Sequence, residues 1–163
     1  MSLFDFERFV GFLTMATVVY IVGVISSAQL RAYVKDHAAV FGLVISAGAT
    51  LGSLALSELF DQVPCELCWY QRIFMYPLPI LIGIALVRNA RDIRLGVIGL
   101  AAVGSAISVY HLIVQWVPGT GSCDLDNPCS SRILDFLGFV STPAMALTAF
   151  IATAISVQLW RKT

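Results

Sequence analysis

The chain has 163 residues, of which 58% are hydrophobic and only 12% are charged, and its formal net charge is zero. Soluble domains carry about 25% charged residues, so a soluble core could not hide this much apolar surface. The balanced charge also excludes a strongly basic or acidic surface, and we expect no nucleic-acid partner.

The charged residues are clustered, and they leave five uncharged apolar stretches between them. Because about 20 apolar residues cross a bilayer as a helix, four of these stretches are long enough unaided. The third becomes long enough if residues 69–72 lie in the interface, where Trp, Tyr and Arg are tolerated. Core helices of soluble proteins are usually shorter, so we predict an all-α membrane protein with five spans. The stretches are Phe9 to Leu30, Ala38 to Ser57, Ile73 to Val87, Leu95 to Val117 and Phe136 to Trp160.

The first stretch could instead be a cleaved signal peptide, since Ser26, Ser27 and Ala28 are small residues suited to cleavage. Signal peptides begin with a positively charged segment. Here Asp5 and Glu7 outnumber the single basic residue before the span. We therefore expect the first span to be retained.

The distribution of Lys and Arg predicts the orientation, because cytoplasmic loops are enriched in both. Seven basic residues fall on one side and three on the other, so we expect the N-terminus outside and the C-terminus in the cytoplasm. All four cysteines are then extracytoplasmic. The predicted cytoplasmic residues are Arg31, Lys35, Arg88, Arg91, Arg94, Arg161 and Lys162, and the outer ones are Arg8, Arg72 and Arg132.

The cysteines form two local groups, Cys65 with Cys68 before the third span and Cys123 with Cys129 before the fifth. Disulfides persist in oxidising compartments. Four cysteines allow three pairings, of which pairing within each loop is the simplest. A four-thiolate zinc site and structural disulfides are the alternatives. A disulfide that closes so short a loop as Cys65–Cys68 gains little stability, which favours a reversible redox pair.

The surroundings of Cys68 suggest an activated thiol. Pro64 precedes the pair and a helix is predicted to follow, so the helix dipole should favour a thiolate at Cys68. Arg72 lies one turn further on the same face. We therefore expect Cys68 to be the more reactive thiol. Arg72 either extends to lipid headgroups or donates to a carbonyl-bearing, lipid-soluble oxidant.

Several other residues in or near the spans also suggest a role. His111, late in the fourth span, is either functional or bonded to a neighbouring helix. Glu58 is more typical of an interface residue than of a proton carrier. Gly48 and Gly52 form a small-xxx-small pattern that permits close helix contact. Pro77, Pro79 and Pro143 should kink or break their helices.

An ordered set of motifs resembles the disulfide bond formation protein B family (DsbB), most closely its short BdbC-type members, from about Ala38 to the C-terminus. The set comprises Pro64-Cys-Glu-Leu-Cys-Trp-Tyr-Gln-Arg72, Met75-Tyr-Pro77, Tyr110-His111, the Cys123/Cys129 loop, and Asp135-Phe-Leu-Gly138 with Pro143.

The resemblance implies a four-helix transmembrane bundle over residues 38–163, preceded by an extra N-terminal helix and a basic loop over residues 1–37. It implies a bacterial plasma-membrane enzyme that reoxidises an extracytoplasmic thioredoxin-like oxidase (DsbA/BdbD-like). Electrons would pass to a membrane quinone, either ubiquinone or menaquinone, to support disulfide formation in exported proteins.

The resemblance also implies a role for each site residue. Cys123 would form the mixed disulfide with the partner and Cys129 would resolve it. Cys65 would exchange with the loop pair, while Cys68 would face the quinone. Arg72 and His111 match residues at the family's quinone site.

Two features depart from the longer members of the family: the short Cys123–Cys129 spacing, which affects partner docking, and the first span, which has no counterpart there. A quinone reductase like vitamin K epoxide reductase has related chemistry, but its CxxC pair follows the loop cysteines. A membrane scaffold or transport subunit with structural disulfides is the non-enzymatic alternative.

Overall fold

The computed structural model describes residues 2–88, 90–117, 129–130, 134–136, 138 and 140–160. Its helices are α1 (Leu3–Ser26), α2 (Ala28–Glu58), α3 (Glu66–Met75), α4 (Pro77–Arg88), α5 (Arg94–Trp116) and α6 (Thr142–Leu159), with a 3₁₀ turn at Arg91–Ile93. Two short strands, β1 (Asp135–Phe136) and β2 (Val140–Ser141), pair in antiparallel fashion before α6.

Within the described part of the chain, five helical segments are long and apolar enough to cross a membrane, α3 and α4 together forming the third. Large apolar side chains are exposed along their outer faces, such as Val19, Leu51 and Ile80. Exposed apolar surface of this extent is typical of a protein embedded in lipid. The chain is therefore a multi-pass helical membrane protein, and the predicted four-helix bundle with one extra N-terminal helix is confirmed.

The centre of the bundle lies where α5 and α6 meet, next to α2 and α4. Gly104 on α5 is in contact with the buried ring of Phe150 on α6, and a side chain at Gly104 would occupy the position of that ring. Dispersion contacts of this kind hold helices together in lipid, where the hydrophobic effect contributes little between them. The buried core residues here are Met75, Leu78, Ile82, Val97, Ala101, Ala146, Phe150 and Val157.

The connection between α1 and α2 is a single extended residue, Ser27, whose side chain accepts a hydrogen bond from the amide of Leu30. Arg31 on α2 donates to the carbonyls of Val24 and Ile25, which lack partners within α1 because that helix ends there. The expectation of a basic loop around Arg31 and Lys35 is wrong. Both residues belong to α2, and a boundary after residue 37 would fall inside this helix.

The prolines act at helix ends. The third span breaks at Tyr76, directly before Pro77, whereas Pro79 lies within the first turn of α4, where a missing N–H costs nothing. Pro143 lies in the first turn of α6, directly after Thr142, and does not kink the helix. The last helix consequently begins at Thr142 and not at Phe136, because the β1–β2 turn, with Gly138 at φ 80°, precedes it.

The N-terminal half of α1 lies at the end of the bundle that carries the cysteines. Phe6 packs against Phe60 with ring centroids 4.9 Å apart, in a buried cluster with Leu56 and Leu134. Near the opposite end, the Tyr20 hydroxyl is 2.8 Å from that of Ser156 on α6. The extra helix is thus held along its length and is part of the bundle.

Candidate redox site

Cys65 and Cys68 lie at the start of α3. Pro64 disfavours a helical conformation before it, and Cys65 is the N-cap residue, with extended backbone angles (φ −67°, ψ 169°). The next three residues turn into the helix, which places Cys68 in its first turn. Both cysteines are free thiols and buried, and their sulfurs lie 3.0 Å apart and share a hydrogen bond.

The polarisation of the pair favours a thiolate on Cys65. The hydrogen bond with Cys68 lowers the pKa of the Cys65 thiol to about 4, and contact with His111 lowers it further against the opposing effect of burial. Cys65 also stands at the positive end of the α3 dipole as its N-cap. The prediction that Cys68 would be the more acidic thiol is wrong, because the N-cap position belongs to Cys65.

His111 on α5 connects the pair to the second cysteine loop. Its Nε2 is 3.1 Å from the carbonyl oxygen of Cys129 and 3.8 Å from the sulfur of Cys65. Its Nδ1 is 3.3 Å from the side-chain amide nitrogen of Gln71. An amide N–H2 group can only donate, so Nδ1 accepts and the proton resides on Nε2. Gln71 thereby fixes the tautomer that donates toward Cys129 and Cys65.

Cys129 is disulfide-bonded and almost fully buried. It shares one apolar cluster with Cys65, Leu67, Cys68 and Val114. The structure thus brings the second cysteine loop against the first pair. Cys123, the predicted partner of Cys129, lies outside the described residues.

Arg72 is buried one turn beyond Cys68. Its guanidinium donates to the Ser57 hydroxyl at 3.3 Å and to the Ser53 carbonyl at 3.1 Å, and lies 5.5 Å from the Trp69 ring centroid. Of the described residues, none places a carboxylate against it. A buried cation surrounded only by neutral groups is costly, so it favours an electron-rich ligand beside it. The Arg72 side chain is therefore held inside the protein by neutral groups.

An apolar cavity of about 350 Å³ touches Cys68, Gln71 and Arg72. It lies between α1, α2, α3 and α6, and its walls are formed largely by aliphatic side chains and glycines. Gly48 and Gly52 line it, and an added Cβ at either position would meet nothing within 4 Å. The prediction that these glycines allow close helix contact is therefore wrong, since they widen a cavity instead.

The structure separates Arg72 from His111, two residues that the family resemblance places at one site. Arg72 borders the cavity, whereas His111 does not and lies toward Cys129. Glu58 is exposed at the end of α2, as predicted for an interface residue.

Gln71 and the two serines that accept from Arg72 were not predicted from the sequence. Gln71 carried a usable signal, since an uncharged amide inside a membrane span needs a buried partner.

Metal binding was the other chemistry considered for these cysteines. Cys65, Cys68 and His111 offer three ligand atoms within 4.8 Å of one another. The four-thiolate zinc site is contradicted, because Cys129 is part of a disulfide and has no free thiolate.

Comparisons with known proteins identify a family and relatives that are named for disulfide bond formation. The family model for disulfide bond formation protein DsbB matches residues 35–160. Disulfide bond formation protein C of Bacillus subtilis (strain 168) is 42% identical over 119 residues, which are 71% of this chain and 86% of that protein. A probable disulfide formation protein C 1 of Bacillus anthracis is 42% identical over 110 residues, 66% of this chain and 79% of that protein. No solved structure matches the chain.

Proposed function

The chain belongs to the disulfide bond formation protein DsbB family, and from this premise we propose that it is a quinone-dependent thiol oxidase. Membership makes it a thiol–disulfide oxidoreductase with a role in disulfide bond formation. The proposal adds the electron acceptor, the partner and the sidedness. Both cysteine pairs face the extracytoplasmic side of a bacterial plasma membrane, and the C-terminus is cytoplasmic.

The observation that carries the proposal is the position of the Cys65–Cys68 pair between two different environments. On one side lie His111 and the disulfide-bonded Cys129. On the other lie the apolar cavity and the buried guanidinium of Arg72. This arrangement suits a pair that receives electrons from one side and releases them to the other.

The first half of the reaction is thiol–disulfide exchange. A dithiol of a thioredoxin-like partner (DsbA/BdbD-like) attacks the Cys123–Cys129 disulfide, Cys123 forming the mixed disulfide. The partner leaves as a disulfide, and Cys123 and Cys129 become thiols. A thiolate of this loop then attacks the oxidised Cys65–Cys68 pair at Cys65, and Cys68 leaves as a thiolate. Closure of the loop disulfide leaves both electrons on Cys65 and Cys68.

The packing supports this direction of attack. Cys129 lies in the cluster that contains Cys65, and His111 Nε2–H donates to the carbonyl oxygen of Cys129. His111 holds the loop in place, and its proton is also directed at the Cys65 sulfur, where it stabilises negative charge. His111 therefore acts in exchange between the pairs and not in acceptor binding.

The cavity fits a quinone in its chemistry. Its walls are apolar, Cys68 borders it, and Arg72 presents a buried N–H fork without a carboxylate partner among the described residues. A quinone bound there would supply an acceptor for two electrons and two protons, so that Cys65 and Cys68 could return to the disulfide. Arg72 would donate to a carbonyl oxygen and stabilise negative charge as it develops.

Trapping the partner tests the exchange half. A Cys129→Ser variant cannot resolve the mixed disulfide on Cys123, so it should accumulate a covalent complex with a thioredoxin-like protein when expressed in its native membrane. A Cys123→Ser variant is the matched control and should accumulate none. Equal trapping by both variants, or by neither, would contradict the assignment.

A further inference from the structure

The helix that precedes the family match forms one wall of the cavity. The match covers residues 35–160, so α1 lies outside it. Five α1 residues nevertheless line the cavity that reaches Cys68 and Arg72. They are Phe6, Val10, Leu13, Thr14 and Thr17.

The α1 wall is apolar in spite of its two threonines. The hydroxyl of Thr14 donates to the carbonyl of Val10, and that of Thr17 to the carbonyl of Leu13, each at 2.8 Å. Both hydroxyls are therefore satisfied within the helix, and their methyl groups remain as the surface available to a ligand. This wall selects against polar ligands.

The cavity opens toward lipid between α1 and α2. Leu13 on α1 is 50% exposed and Val44 on α2 is 63% exposed, yet both line the cavity. Residues that are at once lining and exposed mark its mouth. Leu56, Met75 and Cys68 lie at the buried end. The cavity therefore runs from the hydrocarbon region to the redox pair.

The glycines of α2 give this passage its width. Gly48 lies one turn beyond Val44 and Gly52 one turn further, so they follow the same helix face toward Arg72. The space above both glycines is open. A larger side chain at either position would project into the passage.

We propose that α1 and the Gly48/Gly52 face of α2 form a channel for the prenyl tail of the electron acceptor, with its ring beside Cys68 and Arg72. The inference rests on the proposed function and adds a role for the extra helix. A prenyl chain is apolar and flexible, so it fits walls of this kind. The end of the chain at the mouth of the cavity would reach lipid, and no polar group would be buried. Among lipid-phase acceptors, the site would therefore favour tailed over tailless quinones.

The test compares two acceptors that share a ring. Menadione has no tail, and the second acceptor is the same naphthoquinone ring with a prenyl tail. In the full-length protein, Gly48→Leu should raise KM for the tailed quinone roughly tenfold or more, as methylene-sized changes do in apolar pockets, and leave KM for menadione nearly unchanged. Gly52→Leu is a second variant at the same wall.

Gly99→Leu is the matched control. Gly99 is exposed on α5, an added Cβ there meets nothing, and it does not line the cavity. It should leave both KM values unchanged. Equal increases for the two quinones in Gly48→Leu, or no increase in either glycine variant, would overturn the tail channel while leaving quinone reduction intact. If the wild-type protein reduced neither quinone, the proposed function would fail together with the channel.

Photolabelling tests the part played by α1. A quinone with a photoreactive group on its tail should label peptides from α1 and from the Val44 region of α2. Excess unlabelled tailed quinone should suppress this labelling, whereas menadione should not. Labelling confined to the surfaces of α4 and α5 would overturn the channel.

Discussion

The two sides of the Cys65–Cys68 pair differ in almost every physical property. The side toward α5 is a buried polar network, in which Gln71 orients His111 and His111 contacts Cys129. The side toward α1 and α2 is an apolar cavity with one buried cation, Arg72. One turn of helix thus separates a site suited to directed proton and thiol chemistry from one suited to a lipid-soluble molecule.

Because of this difference, we expect the two cysteines to have different roles. Cys65 is the N-cap and shares hydrogen bonds with Cys68 and His111, so it is suited to exchange with the loop. Cys68 borders the cavity, so it is suited to the acceptor. Variants on each side should consequently damage different half-reactions.

The largest effect is expected from Cys68→Ser. Without this sulfur no disulfide can re-form with Cys65, so quinone reduction driven by a reduced partner should be abolished. The measurement is the absorbance change of the quinone under anaerobic conditions. Exchange at Cys65 should survive, which is seen as a trapped disulfide between Cys65 and the loop. Quinone turnover at the wild-type rate would refute the division between the two sides.

Arg72→Ala should raise KM for the quinone and also lower kcat, because Arg72 would both hold the ring and stabilise developing negative charge. Removing a donor of the second kind costs about 100-fold in kcat, so kcat/KM should fall by at least about that factor. Arg72→Lys keeps the charge but loses the planar fork, and should recover only part of the activity. Partner exchange, measured by quenched alkylation of the loop cysteines, should be unchanged in both. Unaltered quinone kinetics in Arg72→Ala would remove this residue from the site.

His111→Ala should act on the opposite side. The pKa of Cys65 is lowered in the native protein, so its thiolate persists as pH falls and is lost only near about pH 4. Removing the His111 contact should move this midpoint to higher pH. Alkylation of Cys65 in the reduced protein, followed by peptide mass spectrometry across pH, measures the shift.

Gln71→Leu should shift the ionisation midpoint of Cys65 in the same direction as His111→Ala, but by less. The imidazole ring remains in this variant, but Gln71 no longer fixes its tautomer. For His111→Ala, the control measurement is KM for the quinone, which should change little. An increase in this KM comparable to that in Arg72→Ala would instead place His111 at the acceptor site.

The smallest effects concern stability and compare two glycines. Gly104→Ala should destabilise the protein by about 1–3 kcal/mol, because its methyl group would overlap the Phe150 ring in a packed core. Gly48→Ala should be neutral or stabilising by up to about 1 kcal/mol, since it faces open space in a helix. Thermal unfolding in detergent compares them. Equal destabilisation would mean that the cavity is closed.

Much of this architecture could be predicted because the bilayer imposes a simple rule on sequence. Charge-free stretches gave all five spans, and Pro77 predicted the break in the third. The start of the last helix was misplaced because the uncharged stretch extends back to Phe136, whereas Phe136 and Val140–Ser141 belong to short strands that precede α6.

The site could be predicted only in part, for physical reasons. A CxxC motif shows that two sulfurs are close, but not which of them is the N-cap. The pattern at Gly48 and Gly52 predicts close helix contact, and only the packing of the helices shows that both glycines border a cavity instead. The pairing of Gln71 with His111 joins residues 40 positions apart and depends on the relative rotation of α3 and α5.

The most direct test of the central claim follows the redox state of the Cys65–Cys68 pair in the purified, fully reduced protein. Quinone is added in the absence of oxygen, and the remaining thiols are alkylated. Mass spectrometry then measures the peptide that carries Cys65 and Cys68. The account predicts conversion of Cys65 and Cys68 to a disulfide with one quinol formed for each, a reaction that Arg72→Ala slows. A pair that remained a dithiol with saturating quinone present would contradict it.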